Sequence, residues 1–521
     1  MNSRTINGVF LLLFTGVALL DAWQKRWVCD DAFISFRYAE HLANGWGLVY
    51  NPHEYVEGYS NFLWTVLLSG GSLLQIDLPL FSIVLSLIAF LVFLMGGARG
   101  NESVDWFTFL GCCALLHLRI FATSGLETAL FLAVEIWFCR ALLQGASLGI
   151  FVGGVLLPLI RPEGGLFWLA SLFFLPRQKV AYSLGILSIY GLWKLYYFGD
   201  LLPNTFYAKA TEPQWAQGLL YLNLFFSMYW ALIPLILSPF IMLYKGSKSA
   251  RTLSIIWLIL ALHCARIGGD FMFARFALPL CPLMLILSSE WMRRWSISKV
   301  ADYGIAALLG LGLWSAQLPS GLTELDSEGM GISGITEERY WYPIEWQQKA
   351  QEQGEALRKQ LGGIEYSAVI YGAQAMFAYY AQIPYALEGM AGLTDHELAR
   401  KEARSNRVAH ARKADVPYLQ DRGIDLYIDF RIKQGTQQFN RIQLDGSLNA
   451  YWMIYRADLA DQLRGRGAQF VDFQRFLDDY QSKEHGLEEL KIDYQQFKRY
   501  YFNHNDDEQR KLWFEQRILE E

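Results

Sequence analysis

The chain has 521 residues, 53% of them hydrophobic and 15% aromatic, with only 18% charged and a formal net charge of −5. Soluble proteins carry about 25% charged residues, so a single soluble globule is excluded, and so slight a negative balance offers no general basic surface for nucleic acid. Asp, Glu, Lys and Arg make up about 12% of residues 1–317 and about 28% of residues 318–521, on either side of that norm. The expected organisation is a polytopic α-helical membrane domain over 1–317 followed by a soluble domain over 318–521.

The first apolar run, Val9–Leu20, follows Arg4 and ends at Asp21-Ala22-Trp23, a poor cleavage site. It reads as a retained anchor with a cytoplasmic N-terminus. Further apolar runs lie at 79–97, 104–118, 127–143, 147–160, 165–176, 180–198, 219–244, 251–265, 276–290 and 301–317. Several are shorter than the roughly 20 residues an untilted span needs. Asn61–Leu74 is ambiguous, and if it crosses, every later segment changes sides. Three basic clusters, Arg177/Lys179, Lys245/Lys248/Arg251 and Arg293/Arg294/Lys299, bound alternate runs. Placing all three in the cytoplasm leaves room for one crossing between Tyr59 and Arg99. Asn61–Leu74 is then expected to lie along the membrane surface as an amphipathic helix, and about eleven spans result.

On this threading the polar loops share the external face: Asp30–Asn61, Ser124–Thr128, Arg161–Gly165, Gly199–Lys209 and Gly268–Arg275. Charged residues at span ends are costly near lipid and mark a functional cavity. The six cysteines all fall in the apolar part, without ligand spacing, and are expected as small buried hydrophobes. In the soluble part, Ser367–Tyr371 and Asp425–Phe430 read as buried strands, and Gln374–Ala381, Asp395–Arg407 and Glu484–Phe502 as helices. A small α/β layer domain follows. The six basic residues of Arg400–Lys413 read as a solvated helix face.

Several stretches together resemble a known family. Asp30-Asp-Ala-Phe-Ile-Ser-Phe-Arg-Tyr-Ala39, Gly45-Trp-Gly-Leu-Val-Tyr-Asn-Pro52 and Val56-Glu-Gly-Tyr-Ser-Asn-Phe-Leu-Trp64 resemble the first external loop of the type-C (GT-C) integral-membrane glycosyltransferases. The resemblance is to the branch holding the mycobacterial terminal arabinofuranosyltransferases. Arg161-Pro-Glu-Gly164, Leu202-Pro-Asn-Thr-Phe-Tyr-Ala-Lys209, Gly268-Gly-Asp270 with Arg275-Phe276, and Gly392-Leu-Thr-Asp395 with His410 resemble that branch's later stretches. The match runs in order to about residue 430. The resemblance implies an inner-membrane enzyme that takes a monosaccharide, such as the pentose arabinofuranose, from a polyprenyl-phosphate lipid. The acceptor would be a cell-envelope glycan or glycolipid on the periplasmic side. It also implies an acidic pair after the first span, followed by short juxtamembrane helices.

Glycosyl transfer to a hydroxyl needs a base, and a positioned carboxylate typically contributes a factor of about 10² to 10⁴. Asp30 and Asp31 would point about 100° apart on a helix, so they are not expected to share one proton. Asp30 is assigned as base and Asp31 as orienting the acceptor or holding a cation; the reverse assignment stays open. The bland alternative is an acidic helix N-terminus. Arg161, Lys209 and Arg275 are the candidates for the leaving phosphate, which needs charge stabilisation; the alternative for each is snorkelling to headgroups. Glu127, Glu163 and Asp270 either bind sugar hydroxyls or neutralise cations, Glu163 with Arg161 and Asp270 with Arg275 or Arg266. Glu57, Tyr59, Asn61 and Asn204 are substrate-binding candidates on the strength of the resemblance. Paired carboxylates suit Mg²⁺ or Mn²⁺, so a divalent cation at Asp30/Asp31 is an alternative, but with no His-rich cluster no essential metal or other cofactor is expected. Two competing readings are a flippase of lipid-linked sugars, which would place polar groups at mid-membrane in repeated halves, and an oligosaccharide polymerase or ligase.

Overall fold

A computed structural model describes residues 3–101, 103–209, 213–294, 298–326, 329–371, 375–402, 412–429, 440–444 and 448–520. The chain packs as two compact units. The first takes in the residues up to Val49 and Glu57–Ile344; the second takes in Tyr50–Val56 and most of the chain from Glu345 onward.

The first unit is helical. It runs through α1 (Ser3–Gln24), α2 (Asp30–Ala43), α3 (Phe62–Leu73), α4 (Leu78–Ala98), α5 (Trp106–Ala114), α6 (Leu116–Phe121), α7 (Thr128–Gln144) and α8 (Ser147–Ile160). It continues through α9 (Gly165–Ser171), α10 (Arg177–Phe198), α11 (Asn204–Lys209), α12 (Trp215–Met228), α13 (Leu237–Lys245), α14 (Lys248–Ile267), α15 (Leu280–Met292) and α16 (Lys299–Trp314). Polar residues at the run edges set these bounds. The Asp77 carboxylate accepts the Leu80 N–H at 3.0 Å to start α4, and Ser247 accepts from Ala250 at 3.3 Å to start α14. Gly268, at φ 88°, closes α14 in the left-handed turn that glycine adopts without strain.

Residues 5–24 of α1, together with α4 and α14, are long and apolar enough to cross a membrane, and α12 with the segment Trp230–Lys245 passes the same test as a pair bent by 112°. The hydropathy reading expects about eleven crossings; three of its runs break, and others, such as Ser147–Ile160 and Leu280–Met292, form unbroken but shorter apolar helices. Run 104–118 divides into α5 and α6 at Leu115, and run 165–176 keeps only the short α9. Run 219–244, expected as one span, turns through a tight 3₁₀ segment, Trp230–Ile236, that contains Pro234. Leu192 of α10 and Leu308 of α16 leave the bulk of their side chains outside the bundle, as a lipid-facing surface allows. Helix α3, at 12 residues and about 18 Å, is shorter than a hydrocarbon core of about 30 Å. It packs on α2 through Trp64, Thr65, Leu68 and Ser69, leaving Leu67 and Leu73 exposed.

After α16 come a hairpin, β1 (Leu325–Asp326) with β2 (Gly329–Met330), and α17 (Glu338–Trp341). This stretch lies past the expected domain change at 317/318, yet it packs into the first unit. Leu322 and Ile335 are fully buried, and Thr336 exchanges backbone hydrogen bonds with Phe271 and Phe273, each at 2.8 Å.

The second unit holds α18 (Ile344–Leu361), β3 (Ser367–Ile370), α19 (Ala375–Ala381), β4 (Tyr385–Glu388), α20 (Val416–Asp421), β5 (Leu426–Asp429), β6 (Arg441–Gln443), β7 (Asn449–Trp452), α21 (Ala457–Gly465), β8 (Gln469–Phe470), α22 (Phe473–Gln481), α23 (Leu487–Phe497) and α24 (Glu508–Glu520). Its sheet has the order β4-β3-β5-β7-β6-β8. Strand β3 is parallel to β4 and β5, and the remaining pairs are antiparallel. Both expected strands are present as β3 and β5. The expected helix Asp395–Arg407 is not formed in its described part, where Leu398–Arg400 makes a single 3₁₀ turn. The Asp395 carboxylate instead accepts from Leu398 N–H (2.7 Å), Tyr418 Oη (2.7 Å) and Arg422 Nε (2.9 Å), which fixes a loop. Residues 403–411 lie outside the described residues, and with them His410 and two of the six basic residues, Arg404 and Arg407. In Tyr50–Val56, the Asn51 side chain donates to Ala386 O (3.0 Å) and accepts from Ala386 N–H (2.9 Å), closing the open edge of β4. Glu54 pairs with Arg422 at 2.6 Å.

Candidate functional site

Four loops of the first unit converge around the start of α2. Trp27 Nε1 donates to Ile120 O at 3.1 Å and the Cys29 N–H to Ser124 O at 3.0 Å. Trp64 Nε1 donates to Gly125 O at 3.0 Å. Gly125, at φ 80°, lies so close to α2 that a Cβ there would meet the Ala32 Cβ at 2.8 Å. Only glycine satisfies both demands. The approach brings Glu127 against α2 and α3.

Asp30 and Asp31 occupy the first turn of α2, Asp30 buried and Asp31 half-buried. Asn61 connects the body of α2 to Glu127: its Nδ2 donates to Glu127 Oε2 at 2.9 Å, and its Oδ1 accepts from Ser35 Oγ (3.2 Å) and Thr65 Oγ1 (3.1 Å). Arg161 ends α8, with Nη2 at 2.5 Å from Glu163 and Nε at 3.8 Å from Glu127. Its guanidinium lies 5.3 and 5.1 Å from the Phe131 and Phe276 ring centres. Arg275 reaches Asp270 at 3.5 Å and donates to Met272 Sδ at 3.2 Å.

Burial alone would raise the Glu127 carboxyl, but Arg275, Arg161 and the Asn61 hydrogen bond together hold it below the usual carboxylate range. Burial opposes the Arg275 charge, yet Asp270, Glu127 and Asp31 outweigh it and push the guanidinium further up. Arg161 Nη1, Arg275 Nε and Asp270 Oδ2 are buried without a hydrogen-bond partner, although the last two face each other as an ion pair. Buried polar atoms are rarely left so. The anticipated pairs Glu163–Arg161 and Asp270–Arg275 are present.

Glu57, Tyr59 and Asn204 form a neighbouring group. Glu57 meets Lys194 Nζ at 2.7 Å, and its backbone oxygen accepts the Asn204 N–H at 2.9 Å. Burial pushes the Glu57 carboxyl up to about 7 against the pull of Lys194. Tyr59 Oη is buried without a hydrogen-bond partner, and its ring meets Tyr38 edge-on at 4.8 Å. The Lys209 side chain lies outside the described residues. Lys194 was missed by the sequence reading, although a lysine inside the apolar run 180–198 is the kind of signal that marks a site. Glu337 and Glu338 were missed as well, and nothing in their local pattern distinguishes them. All six cysteines are buried and free. Among the described residues no three His, Cys, Asp or Glu side chains come together as a metal-holding group.

The arrangement is two buried guanidinium groups with donors to spare, set beside a pair of acidic residues. It can bind an anion and accept a proton next to it.

No family model matches the chain. Two proteins named terminal β-(1→2)-arabinofuranosyltransferase are similar to it. The one from Mycobacterium tuberculosis is 28% identical over 64% of this chain, and the one from Corynebacterium glutamicum is 27% identical over 55% of it. The matches span 65% and 51% of those relatives' own lengths. Among solved structures, ArnT from Cupriavidus metallidurans bound to undecaprenyl phosphate superposes with a TM-score of 0.54 at 11% identity, covering 80% of this chain and 92% of that one. The same protein in the apo state gives 0.52 at 12% identity, with 81% and 93% covered. The chain thus has the fold of these membrane proteins, and its resemblance to the type-C glycosyltransferases, drawn first from the loop motifs, stands on both sequence and fold.

Proposed function

We propose that this chain is an inverting glycosyltransferase of the inner membrane that moves a monosaccharide from a polyprenyl-phosphate donor to a cell-envelope glycan or glycolipid. The observation that carries the reading is the pair of buried arginines, Arg161 and Arg275, with hydrogen-bond donors unused beside Asp30 and Asp31. It is strengthened by the fold shared with ArnT, which is bound to undecaprenyl phosphate in one solved structure. The relatives' names favour a pentose, arabinofuranose, as the sugar transferred.

In this mechanism the acceptor hydroxyl oxygen attacks the anomeric carbon from the face opposite the phosphate. The new C–O bond forms as the bond to the phosphate oxygen breaks, and polyprenyl phosphate leaves with the bond's electron pair. Asp30 takes the hydroxyl proton and Asp31 orients the acceptor. Arg161 and Arg275 stabilise the leaving phosphate, with Lys209 as a third cation, by preorganised charge. Glu127 and Glu163 set the arginines' geometry, while Asp270, Asn61 and the Glu57, Tyr59 and Asn204 group bind sugar hydroxyls. Transfer takes place on the periplasmic face with the N-terminus in the cytoplasm, and residues 318–521 hold the extracytoplasmic portion.

The test is transfer of label from a panel of polyprenyl-phosphate monosaccharides to a membrane-glycan extract by the purified full chain, with Asp30→Asn and Asp31→Asn alongside. The expected result is a loss of about 10² to 10⁴-fold in one variant with donor binding retained. Donor movement across vesicles without transfer would replace the enzyme by a flippase, and transfer of whole oligosaccharides would make it a polymerase or ligase.

A further inference from the structure

Helix α7 packs on both α4 and α8, whereas α4 and α8 make only marginal contact with each other. A Cβ on Gly96 of α4 would meet Ile136 Cγ2 at 2.6 Å, and one on Gly149 of α8 would meet the Ala141 Cβ at 2.7 Å. Ile136 and Ala141 stand about 140° apart around α7, so the two neighbours flank it as the walls of a trough. Leu130, Ala133, Trp137 and Gln144 fall between those directions and form the floor, with Ile88 on one wall and Val152 on the other. The trough encloses about 460 Å³, within the roughly 300–1,000 Å³ of ligand sites. From Leu130 to Gln144 it covers about 21 Å of helix, more than one leaflet of a hydrocarbon core of about 30 Å. Ile88 and Val152 are 55% and 42% exposed, so it opens sideways to lipid.

Its polar residues gather at one end. Arg99, just past α4, lies exposed there with its guanidinium 5.1 Å from the Trp137 ring centre, and Trp137 Nε1 donates to Val92 O at 2.9 Å. At the head of the α8 wall, Lys179 donates to Ser147 Oγ at 2.8 Å. Neither cation is paired with a carboxylate among the described residues. Arg140 reaches the same end, but its donors go to Gly96 O, Gly97 O and Asp105. This is the end of α7 opposite Glu127. With transfer on the periplasmic face, as proposed above, it lies in the cytoplasmic leaflet.

We propose that this trough is a binding site for an anionic phospholipid of the cytoplasmic leaflet, one acyl chain lying on α7 and the phosphate held by Arg99 and Lys179. Only the choice of leaflet rests on the transferase reading; the binding rests on the membrane fold. Cations set between membrane helices recognise anionic headgroups, and the planar fork of Arg99 suits a phosphate. A zwitterionic lipid would bring a positive group of its own against the two cations. A polyprenyl phosphate would set its phosphate at the Glu127 end and leave both cations without an anion. An anionic phospholipid satisfies the apolar floor and the charged end together.

The test titrates the purified full chain in detergent with phosphatidylglycerol, phosphatidylcholine of the same chains, or undecaprenyl phosphate, read by native mass spectrometry. The wild type should retain one phosphatidylglycerol, preferred over phosphatidylcholine by roughly five- to thirtyfold. Arg99→Gln combined with Lys179→Gln should cut that preference to about twofold or less. Val152→Trp fills the trough from a lipid-exposed position and should weaken both phospholipids, while label transfer per folded molecule is unchanged. If Val152→Trp does not fold, the charge variant decides. Equal binding of the two phospholipids by the wild type overturns the proposal. So does a preference that survives the double substitution, full binding by a folded Val152→Trp, or one-for-one displacement of phosphatidylglycerol by undecaprenyl phosphate. A wild type that retains phosphatidylglycerol yet transfers no sugar takes down the transferase reading and leaves the lipid site standing.

Discussion

Helix α7 joins two clusters of buried charge, one at each end, built from the same residue types. At its C-terminal end Arg140 donates to Gly96 O (3.1 Å), Gly97 O (2.9 Å) and Asp105 Oδ2 (2.8 Å). Asp105 in turn accepts from Thr108 N–H, Thr108 Oγ1 and Arg293. At the N-terminal end Glu127, Arg161, Asp270 and Arg275 are paired, yet buried donor and acceptor atoms on three of them go unused. A buried ion pair stabilises a fold only when its remaining lone pairs and protons are satisfied. The first cluster meets that condition and reads as structure. The second stops short of it, in the manner of a site whose remaining hydrogen bonds belong to a ligand.

The sharpest way to break this comparison is to remove one arginine from each end. Arg140→Met leaves Asp105 only Thr108 and the half-exposed Arg293 and frees the Gly96 and Gly97 carbonyls, and should cost about 1–3 kcal/mol, seen as a lower folded yield or thermal midpoint, while transfer per folded molecule stays near wild type. Arg275→Gln should reverse the pattern, lowering transfer about 10² to 10³-fold with a smaller change in thermal midpoint. Equal destabilisation by the two substitutions would erase the distinction.

Two smaller effects would sharpen it. Asn61→Ala removes a hydrogen bond to the Glu127 carboxylate, at about 1–3 kcal/mol. Because Glu127 sits below the usual range when folded, its contribution is present above its ordinary pKa and is lost as pH falls through the folded value. The substitution should therefore move the acid loss of stability to higher pH, read from thermal midpoints between pH 3 and 6. Glu57 has the opposite sign. Its folded carboxyl is raised from 4.5 to about 7, so its contribution is full below 4.5 and declines as pH rises through 7. Glu57→Gln should flatten that decline, an effect of about 1 kcal/mol between pH 5 and 8; an unchanged slope would assign the titration elsewhere.

Much of the helical unit was legible because apolar runs carry their own punctuation. Run 147–160 is α8 to the residue, and run 79–97 is α4 within one residue at each end, where Asp77 caps it. Run 219–244 was not legible as two segments. Its two prolines, Pro234 and Pro239, did not announce a 112° bend, which also involves Tyr229 bound to His117 from a residue 112 positions away. In the second unit β3 and β5 were found as apolar runs, whereas β6 and β8, with three and two residues, are too short to show a period. The arginines and most carboxylates of the candidate site were legible from charge at span ends. Asn61 meeting Glu127 across 66 residues and Glu337 meeting His117 across 220 are facts of tertiary packing.

Tyr50–Val56 packs with the second unit although the residues on either side of it belong to the first. Asn51 finds Ala386 only 335 residues later. At a ribosomal rate of about 5–20 residues per second, roughly 20–70 s separate the emergence of the loop from that of its partner strand. Through that interval the membrane helices are already being inserted while the stretch leading into Glu57–Asn61 has nothing to pair with. Assembly of this loop is thus among the last events of biogenesis, and a chain truncated before β4 would carry every helix of the membrane unit and still lack a settled first loop.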